Sequence, residues 1–273
     1  IANSRIRQYP FAAIGHFDYR HQGYQINKAQ ADIFLGSNKA HIQGQLNPKA
    51  ADLQFTLNAN NLAQIDPKLS GTITASGRVF GGYQQAKINA QFNVDANNLS
   101  RIHPILSGTL KAHGEVSGAL MHPSLNSQFT LEKAQLHNLN PQLQGALNAQ
   151  GSLQGDLLNP SITAKSDGQS FAYGQNIQIA EWKAGIDMPQ GYRAPFSLTM
   201  NAQAVSIYGQ KADTAQAALT GSLGQHQLSL SAQGKQVQLN ATAQGGLQTN
   251  GKWQGQITGL QNKGKYPFAL QQA

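Results

Sequence analysis

Polar and apolar residues alternate one by one along most of this chain. From Leu106, one set of positions reads Leu106, Gly108, Leu110, Ala112, Gly114, Val116, Gly118 and Leu120. The intervening set reads Ser107, Thr109, Lys111, His113, Glu115, Ser117 and Ala119. Successive side chains of a strand point to opposite faces, so a period of two predicts a long strand with one apolar and one polar face. A second strand follows, with Leu125, Phe129 and Leu131 on one side and Asn126, Gln128, Thr130 and Glu132 on the other. Upstream the same pair reads Leu69, Ile73, Ala75 and Val79, then Ile88, Ala90, Phe92 and Val94; downstream it reads Leu143, Leu147, Ala149, Leu153 and Leu157. The C-terminal part keeps the alternation at Leu228, Leu230 and Ala232, at Val237, Leu239, Ala241 and Ala243, and at Trp253 and Ile257. No apolar series of helical period and length occurs, so the chain is predicted to be all-β.

The alternation sits inside a repeat. ANNLAQIDPKLSG at 59–71 recurs as ANNLSRIHPILSG at 96–108 and as KAQLHNLNPQLQG at 133–145, at a spacing of 37 residues. Pro67, Pro104 and Pro141 fall in register, as do Gly71, Gly108 and Gly145, and Gly77, Gly114 and Gly151. Each repeat predicts two long strands and a proline-containing connection. A strand of about 13 residues measures about 40 Å, and two strands per repeat give about 14 strands stacked over roughly 70 Å. The expected object is an elongated, curled sheet with a continuous apolar stripe, the glycines on that stripe favouring bending toward it. Residues 1–165 are expected to form the repeat array and 166–273 a continuing β region without a clear repeat, with 166–195 the least regular stretch. The chain opens on Ile1 with no signal sequence, which predicts an internal piece of a longer protein.

Composition changes this picture in two ways. Charged residues are only 12% of the chain against about 25% in ordinary domains, so Asn and Gln carry the polar face. Aromatics are only 7% and much of the apolar face is Gly and Ala, so that face fills its own interior poorly. Two coverings remain for the stripe: a dry core made by the sheet folding on itself, or an open groove filled by an apolar ligand. The net charge is +8, but Lys and Arg are spread singly without an aromatic ladder, which argues against nucleic acid as a partner. No apolar stretch approaches the roughly 18 residues of a membrane helix, and there is no cysteine.

Catalytic and metal chemistry have little to stand on. No nucleophile elbow, P-loop, dinucleotide fingerprint or H-E-x-x-H motif occurs, and no cofactor is expected. His113 and Glu115 share a polar strand face; His16 and His21 form a loose N-terminal pair. Trp182 and Trp253 read as packing anchors. Lys111 and Arg78, on the polar face, read as solvated.

The strand pattern LSGTLKAHGEVSGALMHPSLNSQFTLEKAQL, the segment GSLQGDLLNPSITAKSDG at 151–168, PFSLTMNAQAVSI at 195–207, and the alternating run to Trp253 and Gly255 together resemble the TamB family, related to the AsmA-like bridge proteins. The resemblance covers about residues 30–270. It implies a periplasmic β-taco, an open trough with an apolar floor that shields phospholipid acyl chains between the inner and outer membranes of a Gram-negative bacterium. It also implies an outer-membrane barrel partner resembling TamA, attachment to the inner membrane through an N-terminal anchor missing here, and no enzymatic activity. The alternative is a structural or secretion scaffold for outer-membrane barrel or autotransporter assembly. On the groove reading, the lining is Leu69, Ile73, Val79, Ile88, Phe92, Val94, Leu106, Leu110, Val116, Leu120, Leu125, Phe129, Leu131, Leu143, Leu147, Leu153, Leu157, Leu228, Leu230, Val237 and Leu239. Free strand edges predict end-to-end self-association of the fragment.

Overall fold

The computed structural model describes residues 4–20, 25–47, 49–82, 84–191, 194–248 and 251–270. They form strands and three single-turn 3-10 helices, with no α-helix among the described residues. The strands are β1 (Ser4–Ile6), β2 (Tyr9–Arg20), β3 (Gln25–Leu35), β4 (Asn38–Leu46), β5 (Ala50–Ala59), β6 (Thr72–Gly82), β7 (Lys87–Ala96), β8 (Thr109–Ala119) and β9 (His122–Gln135). They continue as β10 (Leu143–Asp156), β11 (Ser161–Tyr173), β12 (Ile177–Met188), β13 (Phe196–Ile207), β14 (Gln210–Gly221), β15 (His226–Gln233), β16 (Gln238–Leu247), β17 (Trp253–Asn262) and β18 (Phe268–Ala269). Eighteen strands replace the expected fourteen or so because most are shorter than 13 residues and are joined by tight turns.

The chain divides into two compact units, Ile1–Leu131 with Leu153–Pro160, and Glu132–Ser152 with Ser161–Ala273. Each is an open, curled antiparallel sheet. In the first, β1 to β8 pair in sequence order. In the second, β11 to β18 do the same. Hairpin-linked neighbours are what an alternating, helix-free sequence with frequent turn signals favours.

The 37-residue repeat is visible in individual hydrogen bonds. In the first loop Leu62 N–H donates to Gly71 O, Ile65 N–H to Leu62 O and Leu69 N–H to Asp66 O. In the second, Leu99 N–H donates to Gly108 O, Ile102 N–H to Leu99 O and Leu106 N–H to His103 O. The third keeps Leu139 N–H to Leu136 O and Leu143 N–H to Asn140 O. Asn61 and Asn98 cap the first two loops, their side-chain oxygens accepting from Ala63 N–H and Ser100 N–H. Sequence alternation extends the strand back to Leu106, but it starts at Thr109. The turn around Pro104 runs through Leu106, and Gly108 at φ 86° then redirects the chain into the strand.

The middle glycine row has a different cause. A Cβ on Gly77 would stand 2.5 Å from the Cβ of Ala90, its partner across β6 and β7. On Gly114 it would stand 2.8 Å from the Cβ of Ser127, and on Gly151 the same distance from the Cβ of Ala164. The small residues at 90, 127 and 164 recur with the same 37-residue spacing, so the close approach repeats with the sequence.

Residues 166–195, least regular by alternation, are mostly strand: β11 and β12 pair from Ile162 with Met188 to Tyr173 with Ile177. The irregularity is a slip of one residue in the two-residue period. Gln169 and Ser170 are both exposed, and so are Ala180 and Glu181, Gln203 and Ala204, and Asp213 and Thr214. The slip therefore runs across β11 to β14, with Ser170 and Ala204 left-handed at φ 54° and 49°. The apolar positions return to the same side beyond it, because Ile179 pairs with Val205 and Trp182 with Ala202.

Candidate functional site

In the first unit, strand register assembles the predicted lining on one face. Leu53, Val79, Ile88 and Gly118 form one cross-strand row, and Phe55, Gly77, Ala90 and Val116 form the next. Leu57, Ala75, Phe92 and Gly114 follow, then Ala59, Ile73, Val94 and Ala112; Leu110 stands opposite Ala96. Every large side chain in these rows except Val79, which lies between Leu53 and Ile88, faces Gly or Ala on at least one side of the ladder. Along β9, Leu125, Phe129 and Leu131 share the side of Ser127, which packs on Gly114, so they belong to this face.

The second unit repeats the arrangement. Ile186, Leu198, Leu219, Leu228 and Ala243 form one row, and Ala184, Met200, Ala217, Leu230 and Ala241 another. Its core is a cluster of Ile179, Trp182, Ala202, Val205, Ala212 and Ala232, against which Leu147, Val237 and Leu239 pack. On β10, Leu143 of this unit and Leu153 of the first are both half-buried. The sequence reading missed Leu53, Phe55 and Leu57 on β5, and Ile179, Trp182, Leu198, Met200 and Leu219. The β5 positions alternate as clearly as their neighbours, and the others lie where the 37-residue repeat stops.

Four predicted lining residues stand elsewhere. Leu69 and Leu106 belong to the proline turns, and Leu120 and Leu157 to turns at the other strand ends. Strand alternation extended by two or three residues placed them on the face; turn bonds hold Leu69 and Leu106 off it, and Leu120 and Leu157 lie just beyond the ends of β8 and β10.

How covered is the face? Of the 21 predicted residues, Leu125 alone is buried, Leu106, Leu120, Leu157 and Leu228 are exposed, and sixteen are half-buried. No large side chain among the described residues is fully buried. The chain exposes 17895 Å². Even two separate compact bodies of half its mass would together expose only about 14,000 Å². A dry, jigsaw-packed interior would bury many Leu and Phe completely.

The polar face is a ladder of amides and isolated ion pairs. Arg78 donates from Nε and Nη2 to the two carboxylate oxygens of Asp52, both at 2.6 Å, so it is ion-paired as well as solvated. That fork holds the Asp52 carboxyl below its ordinary 3.8 and raises the Arg78 guanidinium. Gln91 donates to Glu115 at 3.1 Å and Gln43 to Gln54 at 3.3 Å. His113 and Glu115 lie on this face as expected; His16 is exposed, and His21 lies outside the described residues. Trp182 is 9% exposed and packs across Gly168. Trp253, 47% exposed, lies over Gly245 and Gly255 and donates its indole N–H to His226 Nε2 at 2.8 Å.

Compared with known proteins, the chain matches the family model described as TamB, N-terminal domain, over residues 2–95 and 115–272. No curated protein and no solved structure matches it.

Proposed function

The chain belongs to the TamB family, and from that premise we propose that its apolar face is a groove shielding phospholipid acyl chains in transit between the inner and outer membranes. The observation that carries this is the incomplete burial of continuous apolar rows: fifteen of the predicted residues that remain on the face are half-buried and none of the large ones is fully buried. An apolar face of this extent is costly in water, at about 25 cal/mol per Å², and acyl chains would relieve that cost without any specific bond. The rows contain no charged side chain, so a chain moving along them meets no site at which it is held. Membership of a family of the Gram-negative envelope supports a periplasmic setting, an inner-membrane attachment and a TamA-like barrel as partner. No step of this function needs a cofactor or a bond-making residue.

The test is solvent extraction of the protein purified from cell envelopes, followed by mass spectrometry. Phospholipid at one or more molecules per chain is expected. Protein that is folded but free of lipid, yet still stimulates barrel assembly, would overturn the groove in favour of the scaffold reading.

A further inference from the structure

The two ends of the strands in the first unit differ in how their loops are bonded. At one end stand the loops around Pro67 and Pro104. They are tied together, Ser70 Oγ donating to Asn98 O at 2.8 Å. They are tied also to the neighbouring turns: Asn38 Nδ2 donates to Asn61 O at 3.0 Å, and Arg7 to Ile65 O at 2.5 Å. In each loop the first leucine, Leu62 or Leu99, is buried, and the residue three positions on is held outward. That residue is Ile65, 42% exposed, or Ile102, 43% exposed, with Ile105 beside it at 47%. A rim this thoroughly bonded cannot fold its isoleucines away.

Cations flank these isoleucines. Lys68 and Arg101 are exposed, and neither side chain has an ion-pair or hydrogen-bond partner among the described residues. The acid in these loops, Asp66, faces Arg7 at 3.9 Å and accepts the Lys68 backbone N–H at 2.9 Å. At the other strand ends, Leu120, Met121, Leu157 and Leu158 are 42%, 79%, 40% and 79% exposed. Lys49, just before β5, and Lys87, at the start of β7, also stand at these ends, outside 119–124 and 155–160.

We propose that the Pro67–Pro104 rim docks on anionic phospholipid headgroups. Ile65, Ile102 and Ile105 enter the boundary between headgroup and acyl layer, and Lys68 and Arg101 meet the phosphates. Rigid aliphatic side chains beside unpaired cations are the combination that binds such a boundary, each part contributing where the other does not. Lys49 and Lys87 are exposed at the opposite strand ends, Lys87 standing across the ladder from Ala119, so what sets the proline rim apart is the network of loop bonds that holds its isoleucines outward beside the cations. This deepens the groove reading by naming where the polar ends of its cargo sit, yet it is testable without that reading.

The experiment is cosedimentation of the whole chain with vesicles, either phosphatidylcholine alone or phosphatidylcholine with phosphatidylglycerol, with and without inorganic phosphate. Preference for the anionic vesicles is expected, insensitive to phosphate beyond its ionic strength. Lys68→Gln and Arg101→Gln should each weaken binding about fivefold, and together about twenty-five-fold. Ile102→Ser with Ile105→Ser should weaken it further, while Met121→Ser with Leu158→Ser should leave the anionic preference unchanged. Equal binding to both vesicles, unchanged binding by the glutamine variants, or displacement by phosphate at matched ionic strength would each overturn the proposal, the last assigning the rim to soluble phosphate. Urea midpoints of every variant identify any loss caused by unfolding; the exposed cations are expected to keep theirs. Anionic preference in protein that carries no extractable lipid would sink the groove and leave the rim standing.

Discussion

A charge placed on the apolar face separates a wet groove from a dry core, and residue-level burial sets the size of the difference. Leu110 is half-buried opposite Ala96. Full burial of a leucine is worth about 1.5–3 kcal/mol, so the half-covered side chain contributes about 1 kcal/mol. In Leu110→Asp that contribution is lost while the carboxylate keeps water on its open side. Stability should fall by about 1–2 kcal/mol, a drop in Tm of about 2–8 °C for a chain of this size. Leu125 is the internal control, being 8% exposed on the same face. An unpaired carboxylate there loses most of its water, and Leu125→Asp should cost several kcal/mol. Thr109→Asp, at the start of β8, should change little. The assay is thermal and urea denaturation of the purified chain, with extracted phospholipid and growth complementation by the full-length protein as second readouts. Leu110→Asp should be folded but inactive. If Leu110→Asp and Val116→Arg destabilise as much as Leu125→Asp, the face is packed dry and the argument from partial burial is wrong; if they fold and remain fully active, acyl chains do not pass there.

Three further outcomes are expected. Gly77→Val, whose Cβ alone would come within 2.5 Å of the Ala90 Cβ, should lower the urea midpoint by the equivalent of about 1–3 kcal/mol, whereas Gly174→Ala, at an open turn, should cost less. Asn98→Ala removes the cap on Ser100 N–H and should cost about 1 kcal/mol, read as faster amide exchange in 98–106. The Asp52 carboxyl is held below 3.8 in the folded chain, first by its hydrogen bonds from Arg78. Its contribution is therefore present above that value and lost as pH falls through the lower folded value; Asp52→Asn should remove it at neutral pH and flatten the stability profile below about pH 4, an acid limb unchanged by Asp52→Asn contradicting the link.

Strand identity and facing were legible because half-buried strands leave a period of two, and Ile73, Val79, Ile88, Phe92 and Val116 fall on one face as read. The ends were not legible. Leu69 and Leu106 satisfy the alternation equally well, yet backbone bonds to Asp66 and His103 draw them into turns, and alternation carries no information about such bonds. The slip across Ser170, Ala180, Ala204 and Asp213 was hidden for a related reason. A shift of one residue in four neighbouring strands looks like noise in each strand alone and becomes coherent only once they are paired. Burial was the least legible. Leu125 and Leu110 occupy equivalent pattern positions, and what distinguishes them is how much of the neighbouring chain covers each.

The residue-by-residue recurrence of loop bonds has a consequence for how such a chain can change length. In the first unit each proline loop follows a strand running toward the same rim, and its bonds close on the glycine just before the next strand. Inserting or deleting one strand would deliver the following loop to the opposite rim and turn its capping asparagine away from its partners. Inserting or deleting two, as a block of 37 residues, restores the loop bonds that the first two repeats share. Viable size variants of this architecture are therefore expected to differ by even numbers of strands, a parity rule that recombination between the near-identical stretches at 59–71 and 96–108 would satisfy automatically.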